Sequence, residues 1–341
     1  MDFYSTDIML RVVSLMHPAP QFLLDKYFVE VQTENADEIH FDVWEELRRV
    51  SPFVLPLVEG QIVEMPGYAT TTFKPPYIKD KRVFDTQRPY RRMAGEGIGG
   101  TLSPQDRMRA YLAASFQDQL NMLARRQEIM AAEALQTGGM IIEGDKYPRV
   151  QLNFGRSASL TITASVAWDQ PTATPLSDLE RLNDAMLAVA GQVGFDVIMG
   201  AKAWKAFRKN TEVQNWLSMY RGVGGRSPME IGGLQVEGAQ SMGQVDNFNI
   251  YVYGGQYIDP MTGTSKSIWD ESKVVLTSTA IDGVRCYGAI KDHDALIAVP
   301  YYPKSWEEED PSVRFLMLQS APLPVPTRIN ASGVINNGIA P

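Results

Sequence analysis

A chain of 341 residues with 44% apolar residues is too long for one compact core and too apolar to be disordered, so two domains, or one with large excursions, are expected. One cysteine, Cys286, excludes an internal disulfide, three histidines (His17, His40, His293) exclude a zinc site of usual ligand count, and no uncharged apolar run is long enough to span a bilayer. The net charge of −8 argues against a general electrostatic grip on nucleic acid, and the acidic start at Met1–Asp7 lacks the basic opening of a secretory signal, so the chain is expected to stay in the cytosol where it is made.

The first fifty residues predict a short helix over Ser5–Val13, a break at Pro18 and Pro20, and extended segments near Phe41–Trp44. Large apolar residues (Phe22, Leu23, Leu24, Tyr27, Phe28, Trp44) mix with acids and define no core, which reads as an arm laid on another surface. From Val54 to Arg92 the β-rich runs Gln61–Met65 and Ala69–Phe73, then Tyr77–Lys79, are punctuated by Pro66-Gly67 and Pro75-Pro76 and predict a long hairpin. Two strands alone are marginally stable in water, so the hairpin must pack on its own domain or on a neighbouring chain.

Ser103 as N-cap and Pro104 at the first helical position open a helix that meets no internal proline or glycine before Gly138-Gly139; at ~1.5 Å per residue it is about 50 Å long. Met108, Leu112, Phe116, Leu120, Leu123, Met130 and Ala134 fall within about a third of its circumference, with Asp118, Asn121, Arg125 and Glu128 opposite, so packing along one face is expected.

Downstream, Tyr147–Phe154 reads as a strand, and Ser177-Asp178-Leu179-Glu180 as a capping box opening a helix with Leu179, Leu182, Met186 and Val189 on one face. Phe195–Met199 reads as a strand, Ala201–Lys209 and Glu212–Tyr220 as helices, and Leu234–Val236, Asn249–Tyr253, Val274–Leu276, Val284–Ile290 and Val313–Leu318 as strands. The mixed order gives an α+β class. Pro322, Pro324 and Pro326 mark an extended exit, and the small, polar stretch Asn330–Pro341 reads as a mobile tail.

Motifs that could carry chemistry resolve into bland readings. Gly95–Gly100 matches the GxGxxG spacing but follows Arg88–Met93, which cannot be a core strand, so it reads as a flexible joint; a nucleotide-dependent oxidoreductase using Gly95, Gly97 and Gly100 is the enzymatic rival. Cys286, despite His293-Asp294 nearby, reads as a packed small hydrophobe, and Glu307–Asp310 as a solvated acidic face without the spacing of a calcium loop. Basic residues Lys79, Lys81, Arg82, Arg88, Arg91 and Arg92, interleaved with Tyr77, Phe84 and Tyr90, could read as a nucleic-acid stripe, but on a net acidic chain a self-complementary contact with acidic loops of a neighbouring copy, such as Glu307, Glu308 and Glu309, is preferred. No catalytic, cofactor-binding or metal-ligating residue is assigned.

Val54–Gly60, Pro76-Tyr77-Ile78-Lys79, Tyr253-Gly254-Gly255-Gln256-Tyr257, Gly283–Gly288, Tyr302-Pro303-Lys304-Ser305-Trp306 with Asp310-Pro311, and Gln319–Leu323 together resemble, in sequence and in order over most of the chain, the major capsid proteins of lambda-type tailed phages. The resemblance implies the Hong Kong 97 phage capsid fold: an N-terminal arm (1–53), an extended loop and joint (54–100), a peripheral domain with a long spine helix (101–160), an axial domain (161–300), and a return to the periphery with a C-terminal tail (301–341). It implies a non-enzymatic protein, without cofactor, that self-assembles into hexamers and pentamers of an icosahedral head shell, first as a procapsid and then expanded around packaged double-stranded DNA. Scaffold, portal and decoration proteins are the implied partners and the virion the implied location. Expansion is expected to re-aim the arm, the loop and the Gly95–Gly100 joint while the domains move nearly as rigid bodies. An encapsulin-like cellular shell, which shares the architecture, is the alternative.

Overall fold

The structure, a computed structural model, describes residues 5–36, 38–44, 50–51, 53, 59, 68–85, 90–91, 96, 102–144, 147–215, 235–236, 238–293, 295, 297–310, 312–337 and 339. In chain order its elements are α1 (Thr6–Leu15), α2 (Phe22–Tyr27), β1 (Glu30–Thr33), β2 (Ile39–Trp44), β3 (Tyr68–Phe73), β4 (Ile78–Asp85), α3 (Pro104–Thr137), β5 (Gly139–Gly144), β6 (Tyr147–Asn153), β7 (Thr161–Thr163), α4 (Pro175–Ala190) and β8 (Asp196–Gly200). Then follow α5 (Ala201–Lys209), β9 (Gln235–Val236), β10 (Ala239–Val245), β11 (Phe248–Tyr253), β12 (Gln256–Ile258), β13 (Ser265–Ser267), β14 (Lys273–Thr277), β15 (Gly283–Tyr287), β16 (Tyr302–Glu308), β17 (Val313–Ser320), β18 (Pro322–Pro326) and β19 (Ser332–Asn336).

A seven-stranded sheet, in the order β7-β19-β14-β8-β11-β10-β9, forms the centre. Its pairs β8/β11 and β7/β19 are parallel and the others antiparallel. Strand residues alternate between two cores: Val197, Met199, Val274, Leu276 and Ile335 pack under α4 and α5, while Ile198, Val275 and Val334 pack under α2 and the C-terminal part of α3. Burial on both faces is why these strands read as near-continuous apolar runs.

The stretch expected to be a mobile tail supplies a central strand. β19 lies between β7 and β14, with Val334 and Ile335 buried. Gly333 has no room for a side chain because α4 lies on it: a Cβ there would come within 2.6 Å of Leu182 Cδ1. The proline-rich exit is likewise a strand: β18 is the edge of the sheet β1-β15-β18, and prolines at every second position put their missing N–H groups on the unpaired side.

α3 runs 34 residues from a Ser103 cap, whose hydroxyl accepts the Asp106 N–H at 3.2 Å, to Gly138 in the left-handed conformation. Phe116, Leu120, Leu123, Met130 and Ala134 are buried and Met108 and Leu112 pack beside them, as the periodicity predicts. Glu128 departs from it, being fully buried rather than on an open face. Ala131, Ala132 and Leu135 extend burial around the last turns of the helix, where α2 covers it.

The arm therefore rests on its own chain. Met9 and Val13 of α1 pack with Phe84, Phe116, Leu120, Leu316 and Leu318, and Gln117 Nε2 donates to the His17 carbonyl at 2.7 Å. The predicted hairpin also resolves differently: β3 pairs with β2, and β4 pairs with β17. Pro75-Pro76 separates two ladders that lie in different sheets, because consecutive residues without N–H groups cannot carry one ladder onward. Gln61–Met65 lies outside the described residues.

The capping box at Ser177–Glu180 is also corrected. α4 starts at Pro175, and its first turn is capped from a distance: Glu212 accepts the Leu176 N–H at 3.0 Å and the Ser177 hydroxyl at 3.0 Å. Leu179, Leu182 and Met186 are buried as expected, whereas Val189 is 40% exposed. Residues 211–215 are helical, and the rest of the predicted Glu212–Tyr220 helix lies outside the described residues.

Candidate assembly surface

Of the basic residues predicted for a contact, Lys79, Lys81 and Arg82 lie on β4, in a three-stranded antiparallel sheet, β16-β17-β4. One face of it is closed: Phe84, Leu316 and Leu318 meet α1 and α3, and Gln119 Nε2 donates to the Asp80 carbonyl at 3.1 Å. Alternation along the strands turns Lys79, Lys81 and Val83 to the other face, with Trp306, Phe315 and Met317 beside them. Val83 is 51% exposed and the two rings and Met317 are half-buried, so this face is open and partly apolar.

The open face has a definite internal order. Trp306 and Phe315 stack at 5.3 Å between ring centroids, and the Lys81 ammonium lies 3.7 Å from the Phe315 centroid and 5.1 Å from that of Trp306. A cation fixed over ring faces is a ready partner for a carboxylate, because the rings hold it without neutralising it. Lys79 lies 5.1 Å from the Tyr77 ring centroid. Tyr77 donates to Gln319 Oε1 at 2.7 Å and accepts the Lys291 N–H at 3.1 Å, and burial pushes its phenol up.

Arg82 turns inward instead, to Asp118 at 2.7 Å and Asp80 at 3.4 Å. The acidic run caps the β16–β17 hairpin, with Glu307 paired to Arg314 of the same chain, while Glu308 and Glu309 are exposed. Arg91 is exposed; Arg88 and Arg92 lie outside the described residues. The sequence reading missed Trp306, Phe315, Met317 and Val83 as members of the surface. Their signal was the period-two spacing of Lys79, Lys81 and Val83 against Phe315 and Met317.

Among the described residues, the other sequence candidates take structural positions. Cys286 is fully buried between β1 and β18, and burial pushes its thiol up to about 12, the opposite of nucleophile activation. Of the Gly95–Gly100 segment only Glu96 is described; it pairs with Arg107 at 2.8 Å and accepts the Leu102 N–H at 3.0 Å, bracing the start of α3.

A family model described as phage major capsid protein E matches residues 5–333. The major capsid protein of Escherichia phage lambda is 28% identical over 334 residues, covering 95% of this chain and 96% of the relative. That of Enterobacteria phage P21 is 28% identical over 318 residues, covering 89% and 90%. A crystal structure of a capsid protein from a prophage of Escherichia coli CFT073 superposes with a TM-score of 0.74 at 23% identity, covering 97% of this chain and 98% of that one, a likeness of fold.

Proposed function

The chain belongs to the phage major capsid protein E family, and from that premise we propose that the open face of the β16-β17-β4 sheet is one of the surfaces on which sister copies meet. The protein is a major capsid protein of the virion with the Hong Kong 97 capsid fold, a structural protein and not an enzyme, and its copies assemble into the shell that encloses the phage genome.

The observation that carries the contact is the exposed Val83 beside the Trp306–Phe315 stack with Lys81 over it. Aromatic anchors with a cation at the edge are the composition that concentrates binding energy in protein interfaces, and the exposed carboxylates of Glu308 and Glu309 on another copy supply the matching charge. Tyr77, Lys79, Arg91 and, by sequence, Arg88 and Arg92 extend this basic side, while Arg82 serves its own spine. In the full reading, hexamers and pentamers tile an icosahedral shell that forms on a scaffold, expands around double-stranded DNA, and carries portal and decoration proteins. The net charge of −8 supports a lining to which a packaged polyanion does not adhere.

The test is the double variant Lys81→Glu, Val83→Asp. Lys81→Glu gives up the cation–π contact and Asp is a poor strand former, so thermal unfolding should show a folded subunit destabilised by no more than about 2 kcal/mol. Shells should vanish from electron micrographs and the protein should sediment as small species. Normal shells from this variant would remove the sheet face from the assembly interface.

A further inference from the structure

Helices α4 and α5 cover the same face of the central sheet, α4 over β19 and β14 and α5 over β8 and β11. Their inner sides are apolar, with Leu179, Leu182 and Met186 on one and Ala203 and Phe207 on the other fully buried. Their outer sides differ in charge. On α4, Glu180, Asp184 and Leu187 recur at i, i+4 and i+7 and form one exposed stripe. Arg181, the only cation of α4, turns aside to Asp178 at 3.2 Å and to the Thr163 carbonyl at 2.8 Å. On α5, Lys205, Arg208 and Lys209 are exposed at i, i+3 and i+4, and the helix holds no acid. Lys202, one turn earlier, pairs with Glu271 at 3.3 Å.

Neither stripe is neutralised within the described subunit: Glu180, Asp184, Lys205, Arg208 and Lys209 form no ion pair with another described residue. The helix dipole accounts for only part of the pattern. Its field fades within one turn, so it favours Arg208 and Lys209 at the end of α5 but reaches neither Lys205 nor Asp184, which lies well past the first turn of α4. The stripes also match in length, since Glu180 to Asp184 and Lys205 to Lys209 each span one helical turn, about 6 Å.

We propose that the acidic stripe of α4 on one copy docks on the basic stripe of α5 on a second copy. Because one subunit carries both stripes, identical chains supply both halves of the contact. It rests on the family's assembly of copies and is separate from the β16-β17-β4 face. A nucleic acid is the other acidic partner that α5 would attract. Two observations favour the sister copy: a basic span of about 6 Å engages few phosphates, and the acids of α4 on the same sheet face repel a polyanion laid across both helices.

Two double variants of the full-length protein test this, Glu180→Lys with Asp184→Lys, and Lys205→Glu with Lys209→Glu. Each puts like charge on both stripes, so each should raise the protein concentration at which shells appear on electron micrographs at least about tenfold. The chain carrying all four substitutions restores attraction with the signs exchanged and should assemble near the parental concentration; its shells would also show that the substitutions leave the subunit able to fold. Parental assembly of both double variants would overturn the proposal. Loss confined to the α5 variant would overturn it in favour of nucleic acid, and so would failure of a folded fourfold chain to regain assembly count against it. Should the reversed chains not fold, Lys205→Gln with Lys209→Gln decides: its assembly should need more protein and respond less to added salt than the parent's, and parental behaviour on both counts refutes the docking.

Discussion

Replacing Ile335 by alanine distinguishes a core strand from a loose tail by a wide margin. The side chain is fully buried among Leu182, Met186 and Leu276, and the substitution deletes three carbons at about 0.8 kcal/mol each. The cavity left under α4 raises the cost to about 3–4 kcal/mol. Gly333→Ala probes the same packing from the opposite direction, since its new methyl would meet Leu182 at 2.6 Å, and overpacking of this kind costs about 1–3 kcal/mol. Trimming the obstacle with Leu182→Ala should recover part of that loss, so the double variant should be less destabilised than the sum of the singles. Urea unfolding of the soluble subunit, in the Lys81→Glu, Val83→Asp background to keep it unassembled, reads all four proteins. Midpoints for Ile335→Ala and Gly333→Ala indistinguishable from the parent would refute the placement of β19 in the sheet.

Glu212→Ala removes the remote cap of α4 and should cost about 1 kcal/mol, with faster amide exchange at Leu176; no change in either would mean that water replaces the carboxylate without loss. Cys286 should resist a thiol reagent at pH 8 in the folded subunit and react stoichiometrically in urea, because burial pushes the thiol up to about 12; rapid labelling of the folded form would contradict its position between β1 and β18.

Where one local signal determines an element, the sequence was legible. Ser103-Pro104 and Gly138 bound the spine helix without help from the rest of the chain, and Ala201–Lys209 was read to the residue. The errors occur where a distant partner sets the outcome. Ser177 looks like a local cap until Glu212 arrives from another element, and Gly333 looks like a flexible tail residue until Leu182 lies on it. Glu128 looked solvated because alanines carry little weight in an apolar count, yet Ala131 and Ala132 are what allow α2 to approach closely. In the contact surface, basic residue types were legible, but their directions were not. Only the strand register separates Lys81, which faces outward over rings, from Arg82, which faces Asp118. The resemblance to capsid proteins was visible because its motifs keep their order, a property that does not require any one of them to be chemically distinctive.

The position of β19 also has a temporal side. During synthesis Thr161–Thr163 emerges from the ribosome roughly 170 residues ahead of β19, the strand it pairs with, and β14 waits for the same neighbour. Until translation passes Asn336 the sheet has a gap at its second position, and β7 cannot join the five strands on the far side of it. A nascent chain thus has no finished body to offer to its neighbours on a crowded polysome, and competence to polymerise arrives late, as a property of strand order alone.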